Sequence, residues 1–80
     1  MDNKITVVAI MVTEENSAEA VNSLLHEFRE YVVGRMGIPY RQRGVNVISV
    51  VMDAPIEKVN CLSGKLGMIS GVRSKVLTAK

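Results

Sequence analysis

Three arginines and a tyrosine stand close together near the middle of the chain: Arg35, Tyr40, Arg41 and Arg43. A guanidinium group presents paired N–H donors that match the oxygens of a carboxylate or a phosphate, so this cluster could bind an anion. The same side chains could instead form ion pairs with acidic residues of a neighbouring subunit, or stay solvated on a loop. The sequence leaves these interpretations open, and we favour the subunit interface.

Glycine and proline interrupt the same segment, GRMGIPYRQRG, which runs from Gly34 to Gly44. Gly34, Gly37 and Gly44 would let a ligand or a neighbouring backbone approach closely, because glycine has no side chain. Pro39 would stiffen the chain between them. We interpret this segment as a central connector between two apolar halves and as the candidate ligand-binding or interface segment.

The remaining residues form no pattern typical of catalysis. There is no Ser, His and acid arrangement, and no phosphate-binding glycine motif precedes a helix. His26 lies one helical turn before Glu30, but two ligands do not make a metal site. The single cysteine, Cys61, excludes an intrachain disulfide and fits a reducing compartment. We therefore expect no catalytic residue, no metal and no cofactor.

Length and composition predict a small, self-associating domain. Eighty residues suit one domain, 1–80, and 48% of them are hydrophobic, mostly aliphatic. That apolar content exceeds the needs of one small core, which favours association. A net charge of +2 is too mild to indicate a nucleic-acid partner. The apolar run Ile5–Val12 is too short to span a membrane, so we expect a cytoplasmic location and no membrane partner.

Hydrophobic periodicity predicts the element order β-α-β-β-α-β. Strands are predicted at Ile5–Val12, Tyr31–Met36, Val45–Met52 and Val72–Thr78. In the last of these, Arg73 and Lys75 indicate a solvent-exposed face. A helix over 17–29 follows from Val21, Leu24, Leu25 and Phe28, with Asn16 as its cap and Glu19 reaching back. A helix over 55–66 follows from Ile56, Val59, Leu62 and Leu66, with Gly67 as a left-handed cap.

This order predicts an α+β, ferredoxin-like sandwich, in which two helices cover one face of a four-stranded antiparallel sheet. The first and third strands are apolar on both faces, although helices can cover only one. We therefore expect a second subunit on the open face, in a homodimer or a homotetramer.

The segment VVGRMGIPYRQRGVNVISVVMDAP, followed by NCLSGKLGMISGVRSKVLTAK, resembles the iron-only hydrogenase system regulator family. Its most specific part is GRMGIPYR-x-RG, Gly34–Gly44, whereas GKLG-x-x-x-GV, Gly64–Val72, is shared by many ACT-like domains. The resemblance implies an ACT-like fold and a regulatory role in hydrogenase maturation or expression. The family is also similar to the C-terminal domain of the nickel-responsive regulator. Its His and Cys cluster has no counterpart between Gly34 and Met52, so no nickel site is implied.

Two hypotheses about function follow. The first is a non-catalytic, oligomeric ACT-like regulatory module that senses a small anion or amino acid at a subunit interface. The alternative is a nucleic-acid-binding protein that uses Arg35, Arg41 and Arg43, together with Arg73 and Lys75. Proteins that bind single strands stack bases on exposed aromatic rings, and Tyr40 is the only such ring that we expect here. We therefore favour the regulatory module and expect no nucleic-acid partner.

Overall fold

The computed structural model describes residues 2–79, which form four strands and two α-helices in the predicted order. The bounds are β1 (Lys4–Val12), α1 (Ala18–Glu27), β2 (Val32–Tyr40), β3 (Val45–Ala54), α2 (Ile56–Gly67) and β4 (Val72–Thr78). Short 3-10 turns lie at Glu15–Ser17, Arg29–Tyr31 and Arg41–Arg43. Neither α-helix in this part of the chain is long and apolar enough to cross a membrane.

The four strands form one antiparallel sheet in the order β2-β3-β1-β4. The two most apolar strands, β1 and β3, lie at its centre, and β2 and β4 form its edges. This topology, with two helices packed on the sheet, is the predicted ferredoxin-like α+β fold.

Alternate residues of the central strands form the core with the helices. On β1, Val8, Ile10 and Val12 are buried, while Ile5 and Met11 remain about half exposed. The even-numbered residues Ile48, Val50 and Met52 of β3 are buried in the same way. All but one of the apolar positions predicted for the helices are buried, with Phe28 lying directly after α1: Val21, Leu24, Leu25, Phe28, Val59, Leu62 and Leu66. Ile56 is 43% exposed, because the first residue of α2 lies at the margin of the core.

The predicted helix caps at Asn16 and Gly67 are wrong. The chain forms a 3-10 turn before α1, and Ser17 occupies the N-cap position without a side-chain hydrogen bond to the helix. Its hydroxyl instead donates to the carbonyl oxygen of Ser70, at 2.5 Å. Gly67 is the last residue of α2, and the left-handed conformation is found further on, at Gly71, with φ of 74°.

These contacts form a clasp between the β1–α1 turn and the α2–β4 turn, made by Thr13, Glu14, Ser17, Ser70 and Gly71. The backbone N–H of Thr13 donates to the carbonyl oxygen of Gly71 at 2.8 Å, and the Thr13 hydroxyl donates to the same oxygen at 3.1 Å. The hydroxyl of Ser70 donates to the carboxylate of Glu14. The clasp holds the turn that follows β1 in place.

We predict that Gly71→Ala destabilises the subunit by about 1–3 kcal/mol. A Cβ atom at this position would lie 2.6 Å from Cγ of Glu14, and the positive φ disfavours any residue with a side chain. The measurement is urea unfolding at one fixed protein concentration. Gly64→Ala is the matched control: it lies in α2 with nothing within 4 Å of an added Cβ, and should stabilise by about 0.5–1 kcal/mol. Equal effects at the two glycines would contradict the prediction.

The second strand is longer than predicted. It continues through Gly37 and Pro39 to Tyr40, which pairs with Val45, so the turn between β2 and β3 contains only residues 41–44. Glycine and proline usually indicate the end of a strand, but an edge strand tolerates them because one side of its backbone has no partner. Most of the predicted connector is therefore an edge strand.

Candidate functional site

The β2–β3 hairpin carries all of the predicted site residues, and the whole segment 33–44 is exposed. Its turn is a 3-10 turn over Arg41–Arg43 that is closed by Gly44, whose N–H donates to the carbonyl oxygen of Arg41 at 3.1 Å. Gly44 has a φ of 65°, which explains the need for glycine there. At Gly34 and Gly37 an added Cβ would meet nothing within 4 Å, so the subunit itself does not require glycine at either position.

The register of β2 against β3 divides the hairpin side chains between two faces. Residues directly opposite each other on paired strands point to the same face. Arg35 and Gly37 pair with Val50 and Ile48, which are buried under the helices. In contrast, Met36, Ile38 and Tyr40 pair with Ser49, Val47 and Val45 on the side away from the helices. Arg35 and Tyr40 therefore lie on opposite faces of the sheet.

We call the side of the sheet away from the helices the open face. Its residues are Ile5, Val7, Ala9 and Met11 of β1, Met36, Ile38 and Tyr40 of β2, Val45, Val47, Ser49, Val51 and Asp53 of β3, and Arg73, Lys75 and Leu77 of β4. Its largest apolar side chains are exposed, from 46% at Met11 to 73% at Leu77, whereas the valines Val7, Val45, Val47 and Val51 are half-buried. The open face is thus a largely apolar surface, with Asp53 near one end of β3 and two basic residues on β4, where the sequence predicted a solvent-exposed face.

A cavity of about 680 Å³ lies where β1 ends beside the β2–β3 turn. We call it the end cleft. Its wall includes the carboxylate-bearing Glu15, the guanidinium-bearing Arg41 and the phenol of Tyr40, with apolar surface from Pro39 and Val45. The cleft therefore offers both signs of charge beside an apolar wall, and the clasp described above fixes the turn that carries Glu15.

Arg35 is directed to a different place, a cavity of about 270 Å³ between α1 and β2. We call it the helix-side pocket. Its walls are Asn22, Leu25, His26, Arg29, Val32 and Arg35. Arg43 lines neither cavity, so the structure separates the three arginines that the sequence placed together. Sequence reasoning missed Asn22 and Arg29, although Asn22 and His26 stand four residues apart on α1 and so share one helical face.

The other candidate residues are not assembled into a centre. Among residues 2–79, no three His, Cys, Asp or Glu side chains lie close enough to hold a metal ion. Cys61 is exposed on α2. Glu27 of α1 forms an ion pair with Lys65 of α2 at 3.6 Å, on the side where the two helices meet.

The element order, the antiparallel sheet and the single helix layer define a small ferredoxin-like domain with one open apolar face. The chain belongs to the TM1266-like family, "Iron-only hydrogenase system regulator, putative", whose model matches residues 4–76. The description of this family is that of a regulator, and it agrees with the resemblance noted from the hairpin segment. No curated protein matches the chain.

Nine chains of solved structures match this one, and two of them show the range of similarity. One is the uncharacterized protein TM1266 from Thermotoga maritima, with 36% identity, a TM-score of 0.94, and coverage of 99% of this chain and 100% of that one. The other is a formyltetrahydrofolate deformylase from Pseudomonas putida KT2440, with 17% identity and a TM-score of 0.68. That alignment covers 94% of this chain and 29% of the deformylase, and it shows a likeness of fold alone.

Proposed function

We propose that the protein is a non-catalytic regulatory module of the iron-only hydrogenase system that works as a homo-oligomer. In this proposal a second copy covers the open face, and a small anion or amino acid binds in the end cleft beside the interface. The family supports the regulatory role, and the open face supports the assembly.

The observation that carries the proposal is the alternation along β2. On the open face this strand places Met36, Ile38 and Tyr40, exposed by 62%, 52% and 49%. On the other face, which helices leave uncovered beyond Val32, it places Arg35, Gly37 and Pro39. Apart from Pro39, the apolar side chains between Arg35 and Tyr40 therefore lie on the open face, as expected of a surface that another protein covers.

The energy of burial favours a stable association. Full burial of a large aliphatic side chain stabilises by about 1.5–3 kcal/mol, and the open face offers five that are at least 46% exposed: Ile5, Met11, Met36, Ile38 and Leu77. Identical faces can pack on each other about a two-fold axis, because each subunit presents the same surface. A typical stable interface buries about 800 Å² on each partner, which a four-stranded sheet can supply.

Light scattering across a dilution series tests the assembly. We expect a mass of at least twice the 8.8 kDa of the chain, maintained down to low micromolar concentration. A particle of 8.8 kDa throughout the series would refute the oligomer and remove the reason for placing a site beside an interface.

The charges of the end cleft favour a zwitterion as effector. The carboxylate of Glu15 can accept hydrogen bonds from an ammonium group, and the guanidinium of Arg41 can bind a carboxylate in bidentate fashion. Pro39 and Val45 provide an apolar wall for a side chain. A free amino acid carries all three groups, so it fits the cleft better than a simple anion does.

We predict that Arg41→Gln and Glu15→Gln each weaken the binding of a free amino acid by about tenfold or more, since each removes a charge-assisted hydrogen bond. The measurement is isothermal titration with a panel of free amino acids, and with analogues that lack either the ammonium or the carboxylate group. Arg43→Gln is the control, because it removes the same charge from outside the cleft. Equal binding of the truncated analogues, or no effect of Glu15→Gln, would exclude a zwitterion site here.

A further inference from the structure

The helix-side pocket brings two arginines and a histidine together over a partly apolar floor. Leu25 is buried and Val32 is half-buried, and the polar groups of His26, Arg29 and Arg35 surround them. These side chains come from two elements, since His26 and Asn22 lie on α1 and Arg35 lies on β2, with Arg29 in the turn between them. The fold, rather than a run of basic sequence, assembles this cluster.

Both guanidinium groups are held in position by the protein itself. Nη2 of Arg35 donates to Oδ1 of Asn22 at 2.7 Å. Nη1 of Arg29 donates to the backbone carbonyl oxygen of His26 at 3.0 Å. An arginine has five N–H donors, so each keeps most of its donors for another partner. Such anchoring reduces the conformational entropy that is lost when a ligand binds.

The pocket presents donors and has no carboxylate in its wall. Because Oδ1 of Asn22 accepts from Arg35, the amide nitrogen of Asn22 adds two further N–H donors. Within the described part of the chain, neither Arg29 nor Arg35 has a carboxylate oxygen within 4.0 Å. The neighbouring acid of α1, Glu27, is instead paired with Lys65 of α2. The positive charges of the pocket are therefore not neutralised by an ion pair inside the subunit.

We propose that the helix-side pocket binds a phosphoryl group, as inorganic phosphate or as the phosphate of a small molecule. A phosphate dianion has oxygens that accept hydrogen bonds and a charge that two guanidinium groups match. The half-buried side chain of Val32 leaves room for one apolar contact with the rest of the ligand. This site is separate from the end cleft, and it depends neither on the open face nor on the proposed effector.

The test is a titration of the full chain with inorganic phosphate at constant ionic strength, in which binding is measured from ¹H–¹⁵N NMR chemical shifts. We expect saturable shifts of the Nε–H signals of Arg29 and Arg35 and of the side-chain amide of Asn22. Arg29→Gln and Arg35→Gln should each weaken phosphate binding by about tenfold or more. Arg35→Lys keeps the charge but loses the planar fork, so it should weaken binding severalfold.

Arg43→Gln is the matched control, since it removes one exposed guanidinium outside both cavities and should change phosphate affinity by less than about twofold. The fold of each variant is checked from the dispersion of its amide spectrum, and the two arginine variants test the site independently. Equal shifts with sodium chloride, or an Arg43→Gln effect as large as that of Arg35→Gln, would overturn the proposal. Shifts confined to Glu15 and Arg41 would also overturn it, because they would place the anion in the end cleft.

Discussion

Replacing Val47 by aspartate is expected to convert the assembled protein into folded monomers. Val47 lies on the open face at the centre of the sheet, opposite Met11 on β1 and Ile38 on β2. In the proposed oligomer, a carboxylate here would be removed from water without a partner, at a cost of several kcal/mol. Because a two-fold interface contains the change twice, the dissociation constant should rise by at least about a hundredfold.

The measurement is mass by light scattering over a dilution series, with circular dichroism to show that the subunit remains folded. Asn60→Asp adds the same charge on the exposed side of α2 and should leave the mass unchanged. Val47→Thr keeps the branched shape and should weaken association much less than aspartate does. If Val47→Asp kept the mass of the wild type, the open face would not be the interface.

Replacing Val8 by aspartate is expected to unfold the subunit. Val8 lies on the other central strand, has no exposed surface, and pairs with Val50 and Val76. Burying an unpaired carboxylate costs several kcal/mol, whereas a domain of this size has a total stability of roughly 4–12 kcal/mol. We expect the loss of the cooperative unfolding transition, or a very low denaturation midpoint.

Urea and thermal unfolding followed by circular dichroism measure this effect. Val8→Ala, which removes two methyl groups without adding charge, should cost only about 2 kcal/mol and leave a folded protein. The comparison with Val47→Asp matters most, because the same substitution is made in both central strands. A Val8→Asp protein as stable as Val47→Asp would show that the even-numbered face of β1 is not packed under the helices.

Hydrophobic periodicity was sufficient to predict the elements and their order. The helical spacing of Val21, Leu24, Leu25 and Phe28 defined α1 to within one or two residues, and the continuous apolar runs defined β1 and β3. These signals are local, because they arise from the period of each element itself. The ends of the elements were less well predicted: Gly37 and Pro39, which usually break strands, lie inside β2.

The sequence predicted the candidate site only as a segment of the chain, without the arrangement of its side chains in space. The sequence places Arg35, Arg41 and Arg43 within one central connector, whereas in the structure most of that segment is the edge strand β2, and Arg35 lines the helix-side pocket while Arg41 lines the end cleft. A strand turns successive side chains to opposite faces, so nearness along the chain does not bring them to one site. Asn22, which accepts a hydrogen bond from Arg35, and Arg29, which lines the same pocket, become visible as its neighbours only when α1 packs beside β2.

By itself, the sequence determined a β-α-β-β-α-β chain whose central strands are apolar on both sides, and hence a sheet with one face left for another layer. Only the tertiary structure decided which face that is. Val8 and Val47 are both valines within strands that are apolar on both faces, so the local sequence does not distinguish them. Yet Val8 lies under the helices and Val47 lies on the open face. The physical reason is that a strand with two apolar faces carries no local preference for either one. Its orientation is set by the register with strands distant in sequence and by the packing of both helices against them.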